Sequence, residues 1–127
     1  RVGAPLMHDF CAISLSDLLT PWEMIQKRLT AAASGDFITA LYNPRSQTRT
    51  QQIAIAQQIF LKYRNPNTPV AIVRSAYRQD EAIELTTLEK MLEASIDMLS
   101  LVLIGNSSTR NYADWMITPR GYILGAR

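Results

Sequence analysis

The 127-residue chain is 47% hydrophobic and 19% charged, with a formal net charge of +2, the make-up of an ordinary globular domain large enough for its own core. So small a charge gives no electrostatic footprint for nucleic acid, and no apolar run reaches the ~18–20 residues of a membrane-spanning helix. A single cysteine, Cys11, cannot form an intrachain disulfide, and with no signal-peptide pattern at the start the chain reads as cytoplasmic.

In chain order, Arg1-Val2-Gly3-Ala4-Pro5 sets a glycine close to a proline, the way a helix stops, and predicts that the chain opens at the end of a helix lying before it. Asp9 to Ser14 is a short apolar run and a predicted strand. Ser16 to Thr20 reads as a loop. Thr20-Pro21-Trp22-Glu23 has the form of a helix start, with Thr20 as cap, Pro21 at the first helical position and Glu23 closing a capping box. Trp22, Ile25, Leu29 and Ala32 or Ala33 follow at helical spacing, and Ser34-Gly35 ends the helix.

Phe37 to Tyr42 is apolar at nearly every position, as in a strand covered on both faces. Asn43-Pro44-Arg45-Ser46 breaks it. A second helix is predicted from about Thr48 or Thr50 to Tyr63, with Ile53, Ala56, Ile59, Phe60 and Tyr63 as its buried stripe and its glutamines mostly facing water. Arg64 to Pro69 is a loop. Val70 to Arg74, Ile83 to Thr86 and Leu99 to Gly105 are further strands, with a short helix over Thr87 to Glu93. Asn106 to Asn111 reads as polar loop, and Tyr112 to Thr118 as an edge strand.

This alternation predicts an α/β domain with a mixed five-stranded sheet flanked by helices. The first three strands should be parallel with right-handed crossovers. The segment from Arg78 to Thr86 follows too closely for a helical crossover and should return antiparallel.

Ligands of open α/β sheets bind beyond the carboxyl ends of the strands. The loops after the second, third and fifth strands each carry arginine: Arg45, then Arg74 and Arg78, then Arg110. Arginine outnumbers lysine ten to three, and its planar fork suits carboxylates and phosphates. The expected guest is an anionic small molecule held on one edge of the sheet. There is no Gly-x-Gly-x-x-Gly and no phosphate loop. His8 and Cys11 are the only residues of their kinds, too few for a zinc site, and Cys11 reads as a small buried hydrophobe. No general acid–base pair stands out by spacing.

Several blocks carry a resemblance: Gly3-Ala4-Pro5-Leu6, His8-Asp9-Phe10, Ile13-Ser14-Leu15-Ser16-Asp17-Leu18-Leu19-Thr20-Pro21-Trp22-Glu23, Leu41-Tyr42-Asn43-Pro44-Arg45-Ser46, Asp97-Met98-Leu99, Ile104-Gly105-Asn106-Ser107 and Thr118-Pro119-Arg120-Gly121-Tyr122. In this order they resemble the precorrin-3B C-17 methyltransferases, a branch of the tetrapyrrole methylases. The resemblance implies a fold of two α/β domains with S-adenosylmethionine in the cleft between them, usually as a homodimer. Residues 1–127 would be the second, C-terminal domain, because the family's glycine-rich Gly-x-Gly-Pro-Gly segment is absent here. The implied reaction methylates C-17 of precorrin-3B, or of a cobalt-containing analogue, with ring contraction. The other role the sequence leaves open is a non-catalytic binding or dimerisation fragment of such an enzyme. The resemblance places cofactor contacts at Tyr42, Asn43, Ala71, Ser75 and Ala76, with Tyr77 standing where the family's pattern has glycine. With a polycarboxylate substrate, Arg45, Arg49 and Arg74 become the expected substrate contacts, and no metal ligands are expected.

Overall fold

The computed structural model describes residues 3–4, 9–46, 50–74, 82–112 and 115–117. The elements in chain order are β1 (Gly3–Ala4), β2 (Phe10–Ser14), α1 (Trp22–Ser34), β3 (Ile38–Tyr42), α2 (Gln52–Leu61), β4 (Pro69–Arg74), β5 (Ala82–Thr87), a 3-10 turn (Met91–Glu93), β6 (Ser100–Ile104), β7 (Arg110–Tyr112) and β8 (Trp115–Ile117).

Five strands form one mixed sheet in the order β2-β3-β6-β4-β5. β2 and β3 are parallel. β6 lies between β3 and β4 and runs antiparallel to both, so β2, β3 and β4 share one direction, as the alternation predicts. β5 returns antiparallel beside β4. Both helical connections carry the chain the same way across the sheet. Right-handed crossovers then place both helices on one face, and α1 and α2 do share one core with that face. Ile25, Leu29, Ile53 and Phe60 from the helices meet Leu41, Val70, Ile72, Val102 and Ile104 from the strands. Phe60, Leu41 and Ile72 are fully buried, each contributing about 1.5–3 kcal/mol of apolar transfer.

The other face is built from small and aliphatic side chains. The strand registers align Ala12, Ala40, Leu103, Ala71 and Leu85 in a single row across all five strands. Ala40, Ala71 and Leu103 in that row are buried, with Val73 beside them. A second, three-stranded sheet has the order β1-β8-β7.

Several local expectations are corrected. Gly3–Ala4 is not a helix end but a strand paired parallel with β8. Pro21, not Thr20, is the cap of α1, and it makes no side-chain capping bond. Its carbonyl instead accepts from the N–H groups of Met24 and Ile25, so the Thr20–Glu23 capping box does not form. The predicted Thr87–Glu93 helix shortens to one 3-10 turn. Tyr63 lies beyond α2 and is exposed. Gln57 is buried rather than solvated, and its Nε2 donates to the buried Leu88 carbonyl (2.8 Å) and to the Glu89 carbonyl (3.2 Å). The polar loop after β6 ends earlier than expected, at β7.

Candidate functional site

The shared direction of β2, β3 and β4 brings their carboxyl ends to one rim. β6 runs the other way, so its amino end joins that rim and its carboxyl end, with Gly105 to Arg110, goes to the opposite edge. The expectation of three arginine loops on one edge is therefore corrected: Arg45 and Arg74 share an edge, and Arg110 lies on the other. An antiparallel strand inserted between two parallel ones reverses its loop, and nothing local in the sequence signals that.

At the rim, β2 and β3 are tied together past their last residues. The Leu15 N–H donates to the Tyr42 carbonyl at 2.9 Å. Ser14 Oγ accepts from the Ser16 N–H at 3.2 Å and from Asn43 Nδ2 at 3.0 Å. Asn43 has φ 52°, a left-handed conformation uncommon outside glycine but tolerated by asparagine, and it immediately precedes Pro44. Strained backbone of this kind costs on the order of 1–3 kcal/mol and collects at functional turns. Tyr42 and Asn43 are exposed, Pro44 is buried and Arg45 is half-buried. Arg45 Nε is buried with no hydrogen-bond partner.

Asn43 allows a separation of conformation from hydrogen bonding. Asn43→Gly should lose the side-chain bond to Ser14 while keeping the left-handed turn, whereas Asn43→Ala adds about 1 kcal/mol or more for a side chain forced left-handed. Urea unfolding midpoints should rank asparagine above glycine above alanine. An alanine variant as stable as the glycine one would show that the left-handed turn is not required.

The other expected site residues fall differently. Arg74 is engaged: its Nη1 lies 3.3 Å from Glu84 Oε1 on β5 and donates to the Ser95 carbonyl at 3.1 Å. A half-exposed pair of this kind adds little stability, but it directs the guanidinium toward β5. Ala71 sits mid-strand in the buried row, paired in register with Leu103 and Leu85, and the fold does not bring it to the rim. Arg49, Ser75 and Ala76 lie outside the described residues, as do Tyr77, Arg78 and His8. Cys11 is partly buried against the core, 3.7 Å from Thr39 Oγ1.

The opposite edge holds a concavity of about 540 Å³, bordered by Asp36, Arg64, Asn65, Asn106, Ser107 and Arg110. Its polar groups largely satisfy one another. Asp36, left-handed at φ 61°, accepts from the Ser107 N–H at 3.0 Å and from its hydroxyl at 2.5 Å. Asn106 Nδ2 donates to the Asp36 carbonyl at 3.1 Å, and Arg110 Nη1 donates to the carbonyls of Ser107 (3.1 Å) and Thr109 (3.0 Å). Arg64 donates to the carbonyls of Gly105 (2.6 Å), Ala32 (2.9 Å) and Phe37 (2.5 Å). Burial pushes its guanidinium below the ordinary arginine range, opposed by Asp36 and then Cys11. This edge is a structural clasp, and volume alone does not make it the ligand site. The rim offers an exposed aromatic ring, a strained turn and a cationic side chain.

Sequence reasoning read Arg64 as the start of a loop and gave Asp36 no role. Their partners lie 27 to 71 residues away, beyond any local pattern. A buried arginine directly after a helix was the only available signal.

Residues 1–92 match the tetrapyrrole (corrin/porphyrin) methylases. Over 95% of its length the chain is 60% identical to a cobalt-factor III methyltransferase of Priestia megaterium, covering 22% of that protein. It is 51% identical to a probable cobalt-factor III C(17)-methyltransferase of Salmonella typhimurium, with 97% of the chain and 51% of the relative aligned. Among solved structures, the methyltransferase CobJ superposes with a TM-score of 0.84 at 41% identity, over 93% of this chain and 49% of that one. The chain thus spans about half the length, or less, of these relatives.

Proposed function

This chain belongs to the tetrapyrrole (corrin/porphyrin) methylase family, and from that premise we propose that it is the C-terminal domain of an S-adenosylmethionine-dependent enzyme methylating C-17 of precorrin-3B or its cobalt analogue. The reaction includes ring contraction and serves cobalamin biosynthesis, in a cytoplasmic homodimer. The observation that carries this reading is identity of 60% and 51% to relatives named for cobalt-factor III methylation, each aligned over nearly the whole chain.

The rim suits a nucleoside-bearing cofactor in its donor set. Tyr42 offers an exposed aromatic surface, and the chain turns left-handed at Asn43 directly after β3. Tyr42 and Asn43 would hold the adenosine side, with Ser75 and Ala76 following β4. When bound, S-adenosylmethionine supplies an electrophilic methyl group. The residues of this chain bind and orient. Asn43, anchored to Ser14, fixes the turn. Arg45, with Arg49, gives the carboxylates of the substrate a cationic counterpart in charge-assisted hydrogen bonds. Arg74 joins them only by giving up part of its contact with Glu84. Orientation of reacting groups is a large share of any enzymatic acceleration.

In the full-length protein carrying this chain, cobalt-factor III or precorrin-3B incubated with 13C-methyl-labelled S-adenosylmethionine should gain one methyl, placed at C-17 by NMR. Transfer to neither substrate, or transfer to another carbon, would refute the assignment. Residues 1–127 alone supply one wall of a site built between two domains, and well-bound small ligands have most of their surface buried. Calorimetry on the 127-residue chain should therefore show no micromolar binding of S-adenosylmethionine.

A further inference from the structure

Large hydrophobic side chains are exposed in an uneven pattern, with five of them on the rim described above. Leu18 and Leu19, in the loop after β2, are 85% and 98% exposed. Tyr42 ends β3 and is 43% exposed. Met98 and Leu99, 60% and 55% exposed, immediately precede β6, whose Ser100 and Leu101 pair with Arg74 and Tyr42. β2, β3 and β6 are adjacent in the sheet. At about 4.8 Å per strand spacing the apolar groups line roughly 10 Å of rim.

These groups are held out by ordered loops. Before Leu18, the loop is fixed by the Ser14 and Ser16 hydroxyls, which accept from the Ser16 and Leu18 N–H groups at 3.2 and 3.5 Å. Before β6, Asp97 Oδ1 accepts from the Leu99 N–H at 2.9 Å, and the Asp97 N–H donates to Ser100 Oγ at 2.9 Å. Several large apolar side chains exposed along one edge of a sheet mark a binding surface. It is flanked by Arg45, whose buried Nε has no partner.

We infer that Leu18 and Leu19 together with Met98 and Leu99 form the platform for the apolar face of the tetrapyrrole macrocycle, while the neighbouring arginine meets its peripheral carboxylates. The inference rests on the substrate class proposed above and names residues that the comparisons do not. A tetrapyrrole macrocycle edged with carboxylates complements this rim: an apolar centre with an anionic border against apolar side chains with a cationic neighbour.

The test uses the full-length protein with two variants, Leu18→Ser/Leu19→Ser and Met98→Ser/Leu99→Ser. All four side chains are exposed in this domain, and the melting temperature of each full-length variant is measured beside its binding. Cobalt-factor III is titrated by quenching of tryptophan fluorescence, and S-adenosylmethionine by calorimetry. Each variant should bind cobalt-factor III roughly tenfold more weakly, from the apolar contact area removed, with S-adenosylmethionine affinity unchanged. Parent-like affinity for cobalt-factor III in both variants overturns the platform and leaves the proposed function standing. Parent-like affinity with a lower melting temperature or an altered sedimentation mass also overturns it, assigning the band to contact between protein surfaces. A parent protein that binds S-adenosylmethionine but not cobalt-factor III removes the substrate assignment and this inference with it.

Discussion

Arg64→Met should lower stability by about 3 kcal/mol, the largest single-residue effect expected outside the apolar core. Arg64 is 8% exposed, and its two terminal nitrogens reach the last turn of α1 at Ala32, the approach to β3 at Phe37 and the exit of β6 at Gly105. One side chain thus joins three elements distant in sequence. Its guanidinium also lies over the Phe60 ring, 4.7 Å from the centroid, where a buried cation–π contact adds to the hydrogen bonds. Bonds to a charged donor are worth about 1.5–3 kcal/mol each. Removing the cation also removes its desolvation cost, so the net loss is smaller than their sum. Methionine keeps the apolar stem but leaves three carbonyls without that donor. For a domain of this size the loss corresponds to a fall in Tm of roughly 10–20 °C. Arg64→Lys keeps the charge but not the planar fork, and should fall between parent and methionine. A methionine variant melting with the parent would show that the three carbonyls do not depend on the arginine, Ala32 and Phe37 each having a second donor.

Gly105→Ala is expected to cost about 2 kcal/mol by overpacking. A Cβ at this position would stand 2.6 Å from Thr109 Cβ and 2.7 Å from its Cγ2 and Oγ1. Thr109 is nearly fully buried and holds the turn after β6, its Oγ1 accepting from the Asn106 N–H at 2.9 Å. It cannot rotate aside without giving up that bond, so the backbone of the turn must move. That motion displaces the Gly105 carbonyl, the acceptor 2.6 Å from Arg64. The two substitutions therefore share a partner. Arg64→Met combined with Gly105→Ala should destabilise less than the sum of the single losses, by about 0.5 kcal/mol or more. Chemical denaturation of the four proteins of the cycle measures this, and strict additivity would separate the turn from the arginine clasp.

The sequence by itself determined the layers. Apolar runs such as Ile38–Tyr42 and Pro69–Arg74 leave no polar face, so they had to become covered strands, and the spacing of Ile25, Leu29, Ile53 and Phe60 set the buried stripes of two helices. The short connection from β4 to β5 required an antiparallel return. The blocks from Ile13 to Glu23 and from Leu41 to Ser46 were among those that carried the family resemblance. Tertiary structure alone decided which loops share an edge. The position of β6 between β3 and β4 depends on pairings between residues 26 to 65 positions apart, and local periodicity is the same whether a strand runs up or down. That one choice moved Arg110 away from Arg45, brought Met98 and Leu99 to the rim, and put Gly105 within reach of Arg64. The pairing of β4 with β5 in turn made Arg74 a partner of Glu84. A side chain's charge is written in the sequence, but whether that charge is spent inside the fold or left for a ligand depends on what the chain brings beside it.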